Sequence, residues 1–233
     1  MKLWVLIRRD CDEPASWLAH GLLRLKIAPL VVITESMLTD QAQFIHKVGG
    51  PDKAYVVMKF ANGITLDSRC VHGGVCTVGW AGIRDLARFV EDDREYVSAE
   101  HWAFLVSALR CLPGLINPPS PLGLAGPEFD TIGWRCRAVA AGLRVGHAEQ
   151  GYPLTDGLIP ARVVVLDHAT FGAEIPTDIA ECCVKLRAAS GSRLLSIELV
   201  RSRSGWEFMS ASPRGDLRPG GDALLAALCE TIR

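Results

Sequence analysis

Residues 161–213 constrain the fold of this chain more than any other stretch, because their secondary-structure elements can be placed in order from the sequence. Apolar residues run without a break from Arg162 to Leu166, and a second run follows from Ala169 to Ile175. The polar pair Asp167-His168 separates the two runs. This pattern predicts a β-hairpin whose turn lies near Asp167.

A helix and two more strands are predicted after the hairpin. Apolar residues recur there at helical spacing, Asp178 and Glu181 lie in the positive first turn, and Gly191 ends the helix. Two short strands, Leu194–Val200 and Trp206–Ala211, follow around a turn at 201–205. The stretch therefore predicts two strands, one helix and two strands, in that order.

The start of the chain predicts a parallel β-α-β unit. Leu3–Ile7 is a short apolar run, Asp12 precedes a helical pattern that extends to about Leu25, and Pro29–Thr34 is a second apolar run. No GxGxxG motif follows the first strand, so the phosphate-binding loop of a dinucleotide site is missing. A nucleotide-dependent dehydrogenase is thereby excluded.

The middle of the chain predicts a hairpin and a further strand. Tyr55–Phe60 and Ile64–Leu66 flank the dipeptide Asn62-Gly63, whose residues tolerate the positive φ of a tight turn. Gly74–Val78 is a candidate for another strand.

Two helices are predicted after these strands. Ser98 is the expected N-cap of the first. The second is expected to carry an apolar stripe and to end at Gly142, the stripe being Phe129, Ile132, Cys136, Val139 and Ala140. Between them lies the segment LINPPSPLGLAGPEF, whose four prolines exclude a regular element.

Charge and hydropathy exclude two classes of partner. The chain has 25 Lys and Arg against 26 Asp and Glu and no basic run, so nucleic acid is not an expected partner. No apolar run reaches the ~20 residues that cross a bilayer, so no membrane partner is expected. We expect a cytoplasmic protein.

The eight cysteines include no CxxC pair, and we interpret them as buried free thiols. Cys70, His72 and Cys76 form a C-x-H-x3-C cluster, but a structural zinc site usually has four ligands and no fourth is evident. We therefore expect a glycine-rich turn with incidental thiols and no metal. A Cys–His catalytic pair stays open, since the sequence gives no pairing.

The order of elements in 161–213 resembles the C-terminal half of the ATP-grasp fold, as found in carboxylate–amine ligases of the RimK and glutathione synthetase type. In that family an Asp, a Glu and an Asn hold the magnesium ions of ATP, because Mg²⁺ prefers hard oxygen ligands. At the matching positions this chain has Glu198, Ser210 and Ser212. A hydroxyl is a weak, neutral donor to Mg²⁺, so the resemblance implies a lost metal site.

The front half resembles the pre-ATP-grasp domain of the same ligases, with Ile116-Asn117-Pro118 and Ala141–Val145 matching its motifs in order and spacing. In the family a complete ATP-binding subdomain and a phosphate-binding lysine lie between the two halves. Here only 146–160 separates them, and no lysine occurs between Lys59 and Lys185. The resemblance therefore implies a degenerate, truncated ATP-grasp protein that lacks the central subdomain.

The predicted fold class is α/β, with a Rossmann-like pre-ATP-grasp domain followed by a truncated ATP-grasp C-terminal α+β piece. The expected boundaries are 1–115 for the first domain, 116–157 for a proline-rich loop, helix and linker, and 158–233 for the C-terminal piece.

The leading functional hypothesis is a protein without ligase activity, which binds a partner or presents a substrate in a peptide-modification or specialised-metabolite pathway. One alternative is an active carboxylate–amine ligase whose ATP site is atypical or completed by a partner. Another is a repurposed, ATP-independent enzyme that uses the residual cleft. No cofactor is expected, and the catalytic residues, if any, are not identified.

The residual cleft is expected to contain Glu198, Ser210, Ser212, Arg162 and Arg214, with Glu198 paired to one of the two arginines because a lone carboxylate there would be costly. The expected partners are a second copy or a related ATP-grasp protein, and a peptide or amino-acid substrate. A second chain would cover the sheet at 163–166 and 194–199, which removal of the central subdomain should expose.

Overall fold

The computed structural model describes residues 3–40, 42–49, 54–83, 85–146, 159–202 and 205–232. The chain forms two compact units, Met1–Gly126 with Thr231–Arg233, and Pro127–Glu230. The predicted domain boundaries at 115 and 158 remain a prediction. Much of the predicted linker, 147–158, and part of the predicted turn at 201–205 lie outside the described residues. None of the helices in the described ranges has the length and hydropathy needed to span a membrane.

A three-stranded parallel sheet in the first unit has the strand order β2 (Leu30–Thr34), β1 (Leu3–Arg8) and β6 (Val71–Cys76). Asp12 caps the helix that follows β1, because its side chain accepts a hydrogen bond from the N–H of Ala15 at 3.1 Å. The predicted β-α-β unit is confirmed. In chain order the elements of this unit are β1 (Leu3–Arg8), α1 (Glu13–Arg24), β2 (Leu30–Thr34), α2 (Glu35–Asp40), β3 (Ala42–Lys47), β4 (Tyr55–Phe60), β5 (Thr65–Asp67), β6 (Val71–Cys76) and α3 (Arg94–Leu109).

Gly74 allows β6 to approach β1 closely. The two residues Gly74 and Val5 are partners in the parallel register. A Cβ atom at position 74 would overlap the backbone carbonyl oxygen of Val5. The glycine is therefore required by the close contact between two backbones.

A second, antiparallel sheet has the order β3-β4-β5. The predicted hairpin joins β4 and β5, and Gly63 has a φ of +84° in its turn. Strand β3 was not predicted. The helix predicted to begin at Ser98 begins at Arg94 instead, so Ser98 lies inside α3 and is not its cap. The acidic residues at 91–93 and 95 favour this earlier start, because they lie at the positive end of the helix dipole.

A five-stranded sheet dominates the second unit, in the order β7 (Arg144–Val145), β11 (Gly205–Ser212), β10 (Leu194–Ser202), β8 (Ile159–Leu166) and β9 (Ala169–Gly172). Its strands pair antiparallel except for β7 and β11. Asp167, with a φ of +50°, lies at the predicted hairpin turn, and Gly191, with a φ of +75°, ends the predicted helix. The elements are α4 (Thr131–Ala140), β7 (Arg144–Val145), β8 (Ile159–Leu166), β9 (Ala169–Gly172), α5 (Thr177–Ser190), β10 (Leu194–Ser202), β11 (Gly205–Ser212) and α6 (Gly221–Ile232), of which α6 was not predicted.

Helix α4 buries a different face from the predicted one. Ile132 is 71% exposed and Val139 is 60% exposed, whereas Trp134 and Ala138 are buried. The sequence holds two competing apolar stripes, and the one with the large indole ring is buried. Phe129 packs edge-on against Trp134 with ring centroids 5.0 Å apart.

The strands that were expected to be uncovered are buried by the chain itself. Strand β8 lies between β10 and β9, so neither of its edges is free. The apolar side chains of 163–166 and those of Leu194, Leu195, Ile197 and Leu199 are at most 3% exposed. The physical reason for expecting a second chain over this sheet is therefore wrong.

Candidate functional site

Three neighbouring strands bring polar side chains together on one face of the five-stranded sheet. Glu198 of β10 lies opposite Arg162 of β8 and opposite Ser210 of β11 in the strand register. Ser196 and Ser212 form the next pair on the same face, two residues along. Period-two alternation therefore places four of the five predicted cleft residues on one surface.

Both carboxylate oxygens of Glu198 accept hydrogen bonds. The Nε of Arg162 donates to Oε1 at 2.9 Å, and the hydroxyl of Ser210 donates to Oε2 at 2.7 Å. The side chains of Arg162 and Glu198 are 50% and 43% exposed. Glu198 is thus paired with one of the two arginines expected from the sequence, in contact with solvent.

Arg162 also approaches a second carboxylate, since its Nη1 lies 3.6 Å from Oδ2 of Asp216. Arg218 donates to Asp216 through Nε, at 2.9 Å from Oδ1, and through Nη2, at 2.8 Å from Oδ2. Partial burial alone would raise the pKa of Asp216. Hydrogen bonds from Arg218 and the charges of Arg218 and Arg162 outweigh burial and lower the pKa below its ordinary value.

The second predicted arginine has a different partner. The Nε of Arg214 donates to Oε2 of Glu128 at 3.1 Å. The hydroxyl of Ser212 donates to the same carboxylate oxygen at 2.9 Å, and it accepts from the N–H of Arg214 at 3.2 Å. Ser212 is therefore engaged as both donor and acceptor.

We call these eight residues the polar network: three carboxylates, three arginines and two serines. Its formal charges cancel, because one guanidinium is present for each carboxylate. Its exposed positions make each pair a weak contributor to stability. The members are Glu128, Arg162, Glu198, Ser210, Ser212, Arg214, Asp216 and Arg218.

Side chains of the polar network do not fit a magnesium ion. Mg²⁺ requires oxygen ligands in near-octahedral geometry and is bound best where carboxylates are in excess over cations. Here the two oxygens of Glu198 are taken by donors, and the Arg162 guanidinium already neutralises its charge. No group of three or more His, Cys, Asp or Glu residues in the described ranges could hold a metal ion.

Two features of the cysteines bear on the alternatives left open by the sequence. Cys70 is exposed, whereas Cys76 is buried and burial raises the pKa of its thiol to about 12. The thiol of Cys111 lies 3.6 Å from Nε2 of His46, a Cys–His pair that was not predicted. Partial burial raises the pKa of Cys111, which disfavours the thiolate that a nucleophile needs.

Three members of the polar network were missed by the sequence analysis: Glu128, Asp216 and Arg218. Asp216 and Arg218 directly follow strand β11 and its Pro213, so their place beside the end of the strand was a usable signal. Glu128 lies in the proline-rich segment, 84 positions before Ser212, and nothing local connects the two.

Comparison with known proteins places these elements in context. Neither protein-family models nor curated protein sequences match this chain. Solved structures do. The macrocyclase MdnC of Microcystis aeruginosa MRC, bound with precursor peptide MdnA, is 11% identical with a TM-score of 0.74, over 100% of this chain and 99% of that one.

The fold is ATP-grasp-like. A RiPP-associated ATP-grasp ligase of Chryseobacterium gregarium, in complex with ADP and a leader and core peptide, is 9% identical with a TM-score of 0.72, over 100% of this chain and 95% of that one. The ATP-grasp ligase PsnB, complexed with a phosphomimetic variant of minimal precursor, Mg and ADP, is 13% identical with a TM-score of 0.69, over 100% and 98%. The resemblance to this fold and the α/β class are confirmed.

Proposed function

We propose that this chain is an ATP-grasp-fold protein without ligase activity, which binds a partner or presents a peptide or amino-acid substrate in a peptide-modification or specialised-metabolite pathway. The peptide part is supported by the similar structures, which are a macrocyclase bound with a precursor peptide and ATP-grasp ligases in complex with a leader and core peptide or with a variant of a minimal precursor. Fold likeness alone does not assign activity, because chemistry depends on the residues of a site.

The main support for a lack of ligase activity is that Glu198 is hydrogen-bonded to Arg162 and Ser210. The sequence resemblance implies that positions 198, 210 and 212 correspond to the magnesium ligands of the ATP-grasp family. In this chain an arginine guanidinium supplies the positive charge beside Glu198, and the two serines donate hydrogen bonds to carboxylates. The site therefore lacks the excess of negative charge that would hold a magnesium ion. ATP in the site would lack the metal that neutralises its phosphates.

The proposal includes the loss of the central ATP-binding subdomain. Only 146–158 lies between the end of the first ATP-grasp-like block at Val145 and strand β8, and a complete subdomain does not fit in so short a segment. No lysine is present between Lys59 and Lys185 to contact a triphosphate. This part rests on chain length and composition.

Association with a second copy or with a related ATP-grasp protein, and a cytoplasmic location, belong to the same proposal. The sheet at 163–166 and 194–199 is buried, so a partner would have to use another surface.

Isothermal titration calorimetry with Mg-ATP tests the proposal directly. We expect no binding in the micromolar range by the purified chain, and no phosphate release above background. An active ATP-grasp ligase titrated in the same buffer serves as the positive control. Micromolar binding of Mg-ATP would support the competing hypothesis of an active ligase.

A further inference from the structure

Two adjoining cavities lie along the C-terminal half of helix α3 in the first unit. The larger has a volume of about 510 Å³, and the smaller has a volume of about 370 Å³. Ser107 and Arg110 line both cavities. Residues three apart face the same side of a helix, so the two cavities form one groove, which we call the α3 groove.

The smaller cavity gives one end of the α3 groove an aromatic and apolar character. It is lined by Trp102, Val106 and Pro121. The Trp102 ring stacks on Trp80 with centroids 4.1 Å apart, and its indole N–H donates to the carbonyl of Pro121 at 3.2 Å. Trp80 is 54% exposed. A fixed, accessible tryptophan pair is typical of a binding surface.

Arg110 gives the other part of the groove a positive charge. It is exposed and forms no ion pair with any residue in the described ranges. Arg69 lines the same cavity, but it is already bound to Asp67 at 2.6 Å. No Asp or Glu is among the described residues that line either cavity. A ligand carboxylate at Arg110 would therefore meet a guanidinium that has no ion pair with a described residue, and the one carboxylate bound to a lining arginine, Asp67, is already neutralised by Arg69.

We infer that the α3 groove binds an extended peptide segment in which an apolar or aromatic residue is followed or preceded by an acidic residue. The apolar side chain occupies the cavity beside Trp102, and the carboxylate pairs with Arg110. This inference rests on the proposed function, because it assigns a place to the peptide.

The helix geometry predicts the spacing within that segment. Trp102 and Arg110 are eight residues apart on α3 and its C-cap, which corresponds to about 12 Å at ~1.5 Å per residue. An extended peptide covers about 3.3 Å per residue. The apolar and acidic residues of the ligand should therefore be three or four positions apart.

A spacing scan tests the inference. Fluorescein-labelled Gly/Ser peptides, each with one Phe and one Glu separated by one to eight positions, are titrated with the full chain and followed by fluorescence anisotropy. We expect the tightest binding, with a Kd of about 100 μM or below, at a separation of three or four. Replacing Glu by Gln in the best peptide should weaken binding about tenfold, since a charge-assisted bond is lost.

Arg110→Gln should remove the difference between the Glu and Gln peptides, while Arg88→Gln, another exposed arginine of the same unit, should leave it unchanged. Arg110→Glu should instead prefer a peptide in which Lys replaces Glu, which shows that the variant is folded and that the charge is the determinant. Equal binding at all spacings, no binding of any peptide, or an unchanged preference in Arg110→Gln overturns the inference. None of these outcomes depends on ATP, so they are separate from the titration that tests the proposed function.

Discussion

The two faces of the five-stranded sheet are built from alternating residues of the same strands, yet their side chains make different kinds of interaction. On one face, Val163, Ile197 and Ala211 pack with side chains of helices α4 and α5 in a continuous apolar core. On the other face, Arg162, Glu198 and Ser210 form hydrogen bonds and ion pairs in contact with solvent.

Under the proposed function, this difference explains how an ATP-grasp-like fold persists without magnesium ligands. Burial of apolar surface is the dominant favourable term in folding, whereas exposed ion pairs contribute about 0–1 kcal/mol. Substitutions at the exposed polar residues Arg162 and Glu198 therefore change the chemistry of the site at little cost to the fold. Substitutions on the apolar face change the fold itself.

The largest effect should come from the apolar face. Ile197 is fully buried between neighbouring strands, so Ile197→Ala removes packed atoms and leaves a cavity. We expect the free energy of unfolding to fall by about 2–4 kcal/mol. Urea denaturation followed by circular dichroism measures the change. A loss below about 1 kcal/mol would show that this face is less tightly packed than the structure indicates.

The next largest effect should come from Asp216, the best-connected carboxylate of the polar network. Asp216→Asn keeps a side-chain oxygen but loses the negative charge between Arg162 and Arg218. We expect a loss on the order of 1 kcal/mol at neutral pH.

Asp216→Asn should also change how stability depends on pH. The folded-state pKa of Asp216 is lowered. The contribution of Asp216 to the free energy of unfolding is therefore fully present above the unfolded-state pKa of ~3.9, and it is lost as the pH falls through the lower folded-state pKa. Below about pH 4, the free energy of unfolding should fall less steeply in the variant than in the parent. If the free energy of unfolding changed with pH in the same way in the parent and the variant, the lowered pKa of Asp216 would be contradicted.

A small effect is expected one residue away from Ile197. Glu198→Ala removes a half-exposed carboxylate, and Arg162 keeps its contact with Asp216. We expect a change of about 0.5 kcal/mol or less in the same urea experiment. Comparable losses for Ile197→Ala and Glu198→Ala would remove the distinction between the two faces.

The sequence predicted strands β8 to β11 of this sheet, but not β7, because the signals of those four strands are local. Apolar runs, the turn at Asp167 and the helix stop at Gly191 each depend on a few neighbouring residues. The contact of Arg214 with Glu128 could not be predicted, since it joins positions 86 residues apart. The buried face of α4 was predicted wrongly because periodicity alone does not decide between two apolar stripes. For Glu198, the need for a positive partner limited the candidates to Arg162 and Arg214. The strand register, which the sequence does not give, makes Arg162 the partner.

No gain of activity is expected from restoring the family's ligand types. Ser210→Glu with Ser212→Asn would place two carboxylates opposite each other, at positions 198 and 210 of the register, with the Arg162 guanidinium 2.9 Å from Glu198. The arginine would neutralise one of the two carboxylates, and Arg214 would remain beside position 212. Adding Arg162→Gln removes the first competing cation and tests whether charge alone silences the site.

Neither the double nor the triple variant should release phosphate from ATP above the parent in the presence of Mg²⁺. Phosphoryl transfer depends on positioning and charge neutralisation around the whole triphosphate, and metal ligands supply only part of both. No lysine between Lys59 and Lys185 is present to supply another part. Circular dichroism of each variant provides the folding control. Mg²⁺-dependent phosphate release by the triple variant alone would identify Arg162 as the residue that blocks the site. Release by both variants would show that Ser210 and Ser212 alone account for the missing activity.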